Sequence, residues 1–330
     1  MITSDSWSGC AVDYDLEAEF YPLYTCNYRC TYCFFPPETL GQKLRVHASP
    51  QEWREAFDRN GLRWLLHLTG GEPSIYPEFA ELCSSLTERH FLSLNSNLTH
   101  KSILEFADRV DPSKVSFVNA GLHPDERERR QGMKTFVQHA SRLNARGFPL
   151  IVSVVATPDA LARFDEISAE LRADGLCPVP KLMRGMYRGK RFPRSYTNEE
   201  KRIFRHHSRL AREAYGPLIA ARPETPTINV FDDDQYLDGV PKFKGVDCRA
   251  GKDFVKIDVD GEVYRCANDV RLGNLLQNTF VRRQRAEPCA SHHCYYVCKK
   301  YSKPMQQESI QQPVPSRIAI AKALSAASVV

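Results

Sequence analysis

Six short, mostly apolar runs, each followed by a helix-like stretch, constrain this chain more than any other feature. They fall at residues 19–24, 64–69, 91–95, 115–119, 150–156 and 176–181, the last interrupted by Pro178 and Pro180. Ser49-Pro50-Gln51-Glu52 has the cap, first-turn proline and third-position glutamate of a helix start, and Gly61 closes that helix after Asn60. Residues 76–89, 101–107 and 159–173 also suit helices. Residues 133–145 place Phe136, Val137, Ala140 and Leu143 on one side, and Gly147 ends them. Strands joined by helical crossovers pair in parallel. A closed eight-stranded barrel needs roughly 250 residues; residues 20–215 accommodate six units. The expected fold is therefore α/β, a partial (β/α)6 TIM-like barrel.

The chain has 330 residues, 42 % apolar and 26 % charged, an ordinary globular balance. No run of 18 apolar residues is present, so no membrane span is expected. The polar, acidic start lacks the basic and apolar parts of a secretion signal, which points to a cytoplasmic location. Net charge is a modest +5, yet eleven Lys or Arg residues between Lys181 and Arg212 face only Glu199 and Glu200. That stretch suits an acidic or phosphorylated substrate, and equally a solvated helix face. No nucleic-acid-binding module accompanies it, so nucleic acid is not an expected partner.

Eleven cysteines are many for such a chain, and in a reducing compartment they read as ligands before disulfides. Three of them, Cys26, Cys30 and Cys33, follow the first strand at spacings of four and three, with Tyr32 just before the last. A short loop with three thiolates makes a tripod around one centre and leaves a corner open. A zinc loop is the other reading of this triplet. Five more cysteines, Cys248, Cys266, Cys289, Cys294 and Cys298, gather near the C-terminus, while Cys10, Cys83 and Cys177 stand apart.

Cys26-x3-Cys30-x2-Cys33 resembles the cluster motif of radical S-adenosylmethionine (radical SAM) enzymes. The resemblance implies a [4Fe–4S] cluster held by these three thiolates, with SAM on its fourth iron. Reductive cleavage of SAM would then give a 5'-deoxyadenosyl radical that abstracts hydrogen from a substrate, with an electron donor such as flavodoxin or ferredoxin. Gly70-Gly71-Glu72-Pro73, at the end of the second strand, is similar to the family's glycine-rich SAM stretch, although a plain turn, or a carboxylate that pins the loop, fits the same letters. By the same resemblance Tyr32, Asn95, Asn97, Arg127 and Ser153 are candidate SAM contacts. Arg127 is a candidate carboxylate clamp, and Arg129 and Arg130 lie close in register. The family's serine–leucine–aspartate–glycine text is absent from the fourth strand, which reads Ser116-Phe117-Val118-Asn119-Ala120-Gly121. His123 and Asp125 are candidates for a base, and equally for an ordinary surface loop.

Residues 254–266 alternate about Asp260-Gly261, a hairpin signal that brings Cys248 and Cys266 to one end. With Gly273-Asn274 this resembles the auxiliary-cluster extension of radical SAM enzymes, known as SPASM or twitch. Five cysteines suit one auxiliary [4Fe–4S] cluster, with Cys248 and Cys266 as ligands and two more from Cys289, Cys294 and Cys298. A zinc site on Cys289, His292 or His293, Cys294 and Cys298 is the alternative. The expected organisation is an N-terminal extension (1–19), the barrel (20–215), a Pro- and Asp-rich connection (216–245), a small cysteine-rich auxiliary-cluster domain (246–300) and a tail (301–330). Within the tail, residues 317–330 suit a small amphipathic helix.

The expected activity is hydrogen abstraction from a small metabolite, such as a sugar, cyclitol or nucleotide, leading to oxidation or rearrangement. The alternative is a peptide-modifying maturase that crosslinks or epimerises a ribosomal peptide. Many such maturases carry a leader-binding domain of about eighty residues ahead of the barrel, whereas 25 residues precede Cys26 here. That difference points to the metabolite reading. Epimerisation would need a hydrogen donor, for which Cys177 or a cysteine of 289–298 is available, although Cys177 equally suits the core. A non-enzymatic metal scaffold is a third class, and it would bind metal without cleaving SAM.

Overall fold

The computed structural model describes residues 12–221, 230–240, 242–267, 270–291, 294, 301 and 302. Each expected strand is present within a few residues of its expected bounds. Strands β1 (Leu16–Leu23), β2 (Trp64–Gly70), β3 (Phe91–Ser96), β4 (Val115–Gly121), β5 (Leu150–Val155) and β6 (Pro178–Lys181) pair in sequence order, all in parallel. Helices fill the crossovers: α1 (Pro37–Leu40) and α2 (Pro50–Asp58), α3 (Phe79–Thr87), α4 (Ser102–Arg109), α5 (Pro124–Arg130) and α6 (Met133–Ala145), then α7 (Pro158–Ala162) and α8 (Phe164–Ala173). The Ser49 and Glu52 side chains form the reciprocal cap expected for α2. The helix expected over 159–173 divides at Arg163, whose backbone leaves the helical region.

β1 shows how the sheet is built. Leu16, Ala18 and Phe20 are fully buried and join the core formed with the helices, including Trp53 and Phe57 of α2. Glu17, Glu19 and Tyr21 alternate with them and face the other side of the sheet. Apolar residues of β2 to β5, among them Leu66, Leu94, Val118 and Val152, continue the same core.

Beyond β6 lie a two-stranded ribbon, β7 (Gly185–Tyr187) with β8 (Lys190–Phe192), and the long helix α9 (Asn198–Ala214). The ribbon turns through Arg188 and Gly189, both at positive φ, and is an element the sequence reading lacked. The expected connection 216–245 holds α10 (Gly216–Ala221) and a 3-10 turn over Val230–Tyr236.

The C-terminal strands β9 (Asp247–Cys248), β10 (Phe254–Ile257), β11 (Glu262–Tyr264), β12 (Arg271–Asn274) and β13 (Glu287–Pro288) include the expected hairpin, β10–β11. β10 pairs in parallel with β1, from Glu17 opposite Phe254 to Phe20 opposite Ile257. One nine-stranded mixed sheet results, ordered β12-β11-β10-β1-β2-β3-β4-β5-β6. The hairpin thus prolongs the main sheet, an arrangement consistent with a partial barrel carrying extra C-terminal strands. Among the described residues no helix is long and apolar enough to cross a membrane. The expected tail helix at 317–330 lies outside the described residues.

Candidate active site

The cysteine triplet sits in the loop that leaves the C-terminal end of β1. Its first turn is fixed by Cys26 N–H donating to Leu40 O at 3.0 Å, and its last by Cys33 N–H donating to Cys30 O at 3.0 Å. The Cys26 sulfur accepts from Tyr28 N–H at 3.3 Å. Tyr32 holds its hydroxyl 2.8 Å from Nδ1 of His123, and that nitrogen lies 3.6 Å from the Cys30 sulfur. His123, left-handed at φ 52°, folds back over Gly121 at the end of β4. The loop after β1 is therefore tied to the loop after β4.

Burial pushes the thiols of Cys26 and Cys30 up to about 12, and the nearby Cys33 adds to the rise in both. Three thiols gathered in one short loop form a soft donor set suited to iron–sulfur ligation, and iron would hold them as thiolates. Among the described residues no three His, Cys, Asp or Glu side chains close in around a single ion. A four-iron cube spaces its thiolates more widely than an ion does, so the donor chemistry is the relevant test, and it fits.

The loop after β2 lies flat against the approach to the triplet. Gly71 N–H donates to Leu23 O at 3.3 Å and Glu72 N–H to Thr25 O at 3.0 Å. A Cβ on Gly71 would stand 2.1 Å from Thr25 O, and one on Gly70 (φ +131°) 2.3 Å from Leu23 O. Both glycines are thus required by contact with the protein's own backbone. The Glu72 carboxylate is 1 % exposed. One oxygen accepts from Ser74 N–H at 3.0 Å, Ser74 Oγ at 2.6 Å and Ser96 Oγ at 2.6 Å, and the other from Asn97 N–H at 2.6 Å. Glu72 pins the loops after β2 and β3.

Arg127 continues this tie. Its guanidinium donates to the carbonyls of Leu122 (2.8 Å), Gly132 (3.3 Å) and Asn97, and lies over the Phe136 ring at 4.4 Å. Burial lowers Arg127 to about 10. Asn97 in turn donates to Asn27, beside Cys26, at 2.9 Å. Asn95 lies on the sheet's inner face, where its amide meets Thr69 and Asn119. Ser153 is buried on β5 opposite Gly121. The structure therefore brings Tyr32, Gly71, Glu72, Asn97 and Arg127 into one network around the triplet, while Asn95 and Ser153 sit on neighbouring strands.

A second thiol group lies at the other end of the sheet. Cys248 and Cys266 flank the start of β10 and pack with Ala250, Phe254 and Tyr301. Cys289 follows β13, whose Glu287 pairs with Cys248, and its charge adds to the burial that pushes the Cys248 thiol up. Because β10 runs parallel to β1, this group and the triplet occupy opposite ends of β1, which is roughly 23 Å long. Cys294 lies near Tyr236. Cys298, His292 and His293 lie outside the described residues. The nine described cysteines form no disulfide; Cys83 and Cys177 are buried, Cys177 packing with Tyr215 and Phe231.

The sequence reading missed the polar inner face of the sheet. His67 lies 2.5 Å from Ser93 Oγ and 3.5 Å from Glu17. Tyr24, at the end of β1, donates to Asp258 beyond β10. Lys181, at the end of β6, is lowered by burial, and Glu19 of β1 is among the charges acting on it. The signal was legible as the alternation Glu17, Glu19, Tyr21 between Leu16, Ala18 and Phe20. The basic stretch resolves differently: seven of its cations, Arg184, Arg188, Lys201, Arg202, Arg205, Arg209 and Arg212, are paired with carboxylates. That pairing favours a balanced surface over a phosphate site.

A thiol triplet at the end of the first of six parallel strands, tied to the loops after the second, third and fourth, is the arrangement of a radical SAM domain. The family model described as Radical SAM superfamily matches residues 20–167. Residues 20–167, a little under half of the chain, thus match a radical SAM domain, and such a domain implies a SAM-binding [4Fe–4S] cluster. The PqqA peptide cyclase of Ruegeria pomeroyi is 30 % identical over 163 residues, covering 45 % of this chain and 42 % of the cyclase. The match thus spans less than half of that relative's length. Two solved structures share the fold. One is anSMEcpe with bound AdoMet and Cp18Cys peptide (TM-score 0.53, 16 % identity, 80 % of this chain and 78 % of that one). The other is Streptococcus suis SuiB bound to precursor peptide SuiA (TM-score 0.52, 16 % identity, 82 % and 66 %).

Proposed function

We propose that this enzyme modifies a peptide by SAM-dependent hydrogen abstraction. The observation that carries the reading is the sequence relationship to a peptide cyclase, supported by a fold shared with two proteins solved with peptides bound. This moves the substrate from the small metabolite expected at first to the peptide alternative. When bound, the cluster and SAM supply the hydrogen-abstracting radical. Cys26, Cys30 and Cys33 hold the cluster. Tyr32, Gly70, Gly71, Asn95 and Ser153 border SAM. Glu72, Asn97 and Arg127 act by fixing the loops that carry those contacts, since their polar groups are already engaged within the protein. The polar inner face of the sheet, from Glu19 to Lys181, receives the peptide and excludes bulk water.

At the opposite end of the sheet, Cys248, Cys266 and Cys289, with Cys294 or Cys298, would hold one auxiliary [4Fe–4S] cluster, which would supply one-electron redox chemistry. An electron donor of the flavodoxin or ferredoxin kind serves the first centre. The test is anaerobic incubation of the reconstituted enzyme with SAM, reductant and either pooled synthetic peptides or a panel of sugars, cyclitols and nucleotides. Formation of 5'-deoxyadenosine with a mass change in a peptide supports the reading. Turnover confined to the metabolite panel would overturn it.

A further inference from the structure

Arg265 immediately precedes Cys266 and is 4 % exposed. Its guanidinium reaches four backbone carbonyls on two other chain segments. Nε donates to Ala250 O at 3.0 Å and one terminal nitrogen to Pro288 O at 3.1 Å. The other terminal nitrogen donates to Cys248 O at 3.2 Å and Glu287 O at 2.5 Å. Among the described residues no carboxylate pairs with it. Gly251, at φ +89°, leaves room for its stem: a Cβ there would stand 3.1 Å from Arg265 Cγ.

We propose that Arg265 is the positioning residue of the auxiliary centre: its fork fixes the segments bearing Cys248, Cys266 and Cys289, and it holds a cation against the backbone of Cys248. The inference rests on the reading of those cysteines as auxiliary ligands. A planar guanidinium can serve four carbonyls at once, which a lysine ammonium cannot. A four-thiolate cluster carries net negative charge and becomes more negative on reduction. A fixed cation beside it therefore stabilises the reduced form and raises the midpoint potential.

The test compares wild type, Arg265→Gln, Arg265→Lys and Cys248→Ala/Cys266→Ala, all reconstituted anaerobically. Iron and sulfide are counted, iron retention is challenged with a chelator, and the auxiliary midpoint is followed by electron paramagnetic resonance. Arg265→Gln is expected to shift the reduction equilibrium about tenfold towards the oxidised form, about 59 mV downward for one electron. Arg265→Lys is expected to hold the midpoint and to lose iron affinity by about 10–100-fold. An Arg265→Gln protein with wild-type midpoint and iron retention overturns the proposal. If that variant takes up no iron, Arg265→Lys decides: wild-type chelator resistance overturns the positioning role, and weakened retention supports it. A Cys248→Ala/Cys266→Ala protein that keeps all its iron instead overturns the ligand reading, whatever the arginine variants do.

Discussion

Replacing Glu72 tests whether this carboxylate serves the fold. It accepts from two backbone N–H groups, of Ser74 and Asn97, and from two hydroxyls, of Ser74 and Ser96. All four residues are at most 5 % exposed, so water cannot replace a lost partner. The hydroxyls can rotate towards other acceptors, but the N–H groups cannot. A buried N–H left without a partner costs about 1–3 kcal/mol, so Glu72→Ala, which strands two, is expected to cost about 2–6 kcal/mol. Glu72→Gln keeps one carbonyl oxygen and turns an NH2 towards one donor, and is expected to cost about 1–3 kcal/mol. The assay is urea unfolding of the metal-free, SAM-free chain under reducing, anaerobic conditions, with the free energy taken by linear extrapolation. Leaving out cofactors isolates the structural role. If Glu72→Ala changes stability by less than about 1 kcal/mol, the reasoning fails, and Glu72 is released to contact SAM directly.

Three other outcomes are expected. Gly71→Ala drives a Cβ to 2.1 Å from Thr25 O, and is expected to lower stability by at least about 2 kcal/mol and reduce iron loading at the triplet, as read by urea unfolding and iron analysis. Tyr215→Phe removes a hydroxyl that donates to Cys177 O and accepts from Val152 N–H, and should cost about 1–3 kcal/mol in the same unfolding assay. Burial lowers His90 to about 4, whereas the unfolded side chain titrates near 6.5. The fold prefers neutral His90, so its contribution is complete above pH 6.5 and is lost as pH falls towards 4, by up to about 3 kcal/mol. His90→Gln should flatten that part of the stability profile, and an unchanged slope would contradict the assignment.

Features set by local pattern were legible in the sequence. The six strands announced themselves by short apolar runs ending in polar or glycine-rich loops. Ser49 and Glu52 announced a cap, residues 133–145 a helix with the observed bounds, and Asp260-Gly261 a hairpin turn. The triplet was readable because its three thiols lie within eight residues. What depends on distant partners was not readable. Nothing local tells β10 to pair with β1, more than two hundred residues earlier, so the hairpin was expected in a separate domain. Arg127 reads as a carboxylate clamp, and its donation to the carbonyl of Asn97, 30 residues earlier, has no local signal. Arg265 had no local signal at all, because its partners lie 15 to 23 residues away on either side. The ribbon β7–β8 was overlooked although Arg188-Gly189 marks its turn.

The central claim is that Cys26, Cys30 and Cys33 hold a SAM-cleaving cluster distinct from an auxiliary one. The most direct test is anaerobic reconstitution followed by iron and sulfide counting and assay of 5'-deoxyadenosine, comparing wild type with Cys26→Ala/Cys30→Ala/Cys33→Ala. About eight irons per chain, falling to about four with loss of 5'-deoxyadenosine in the triple variant, is the expected result. A triple variant that still cleaves SAM, or a fully loaded and reduced wild type that cleaves none with either the peptide pool or the metabolite panel present, would contradict the account.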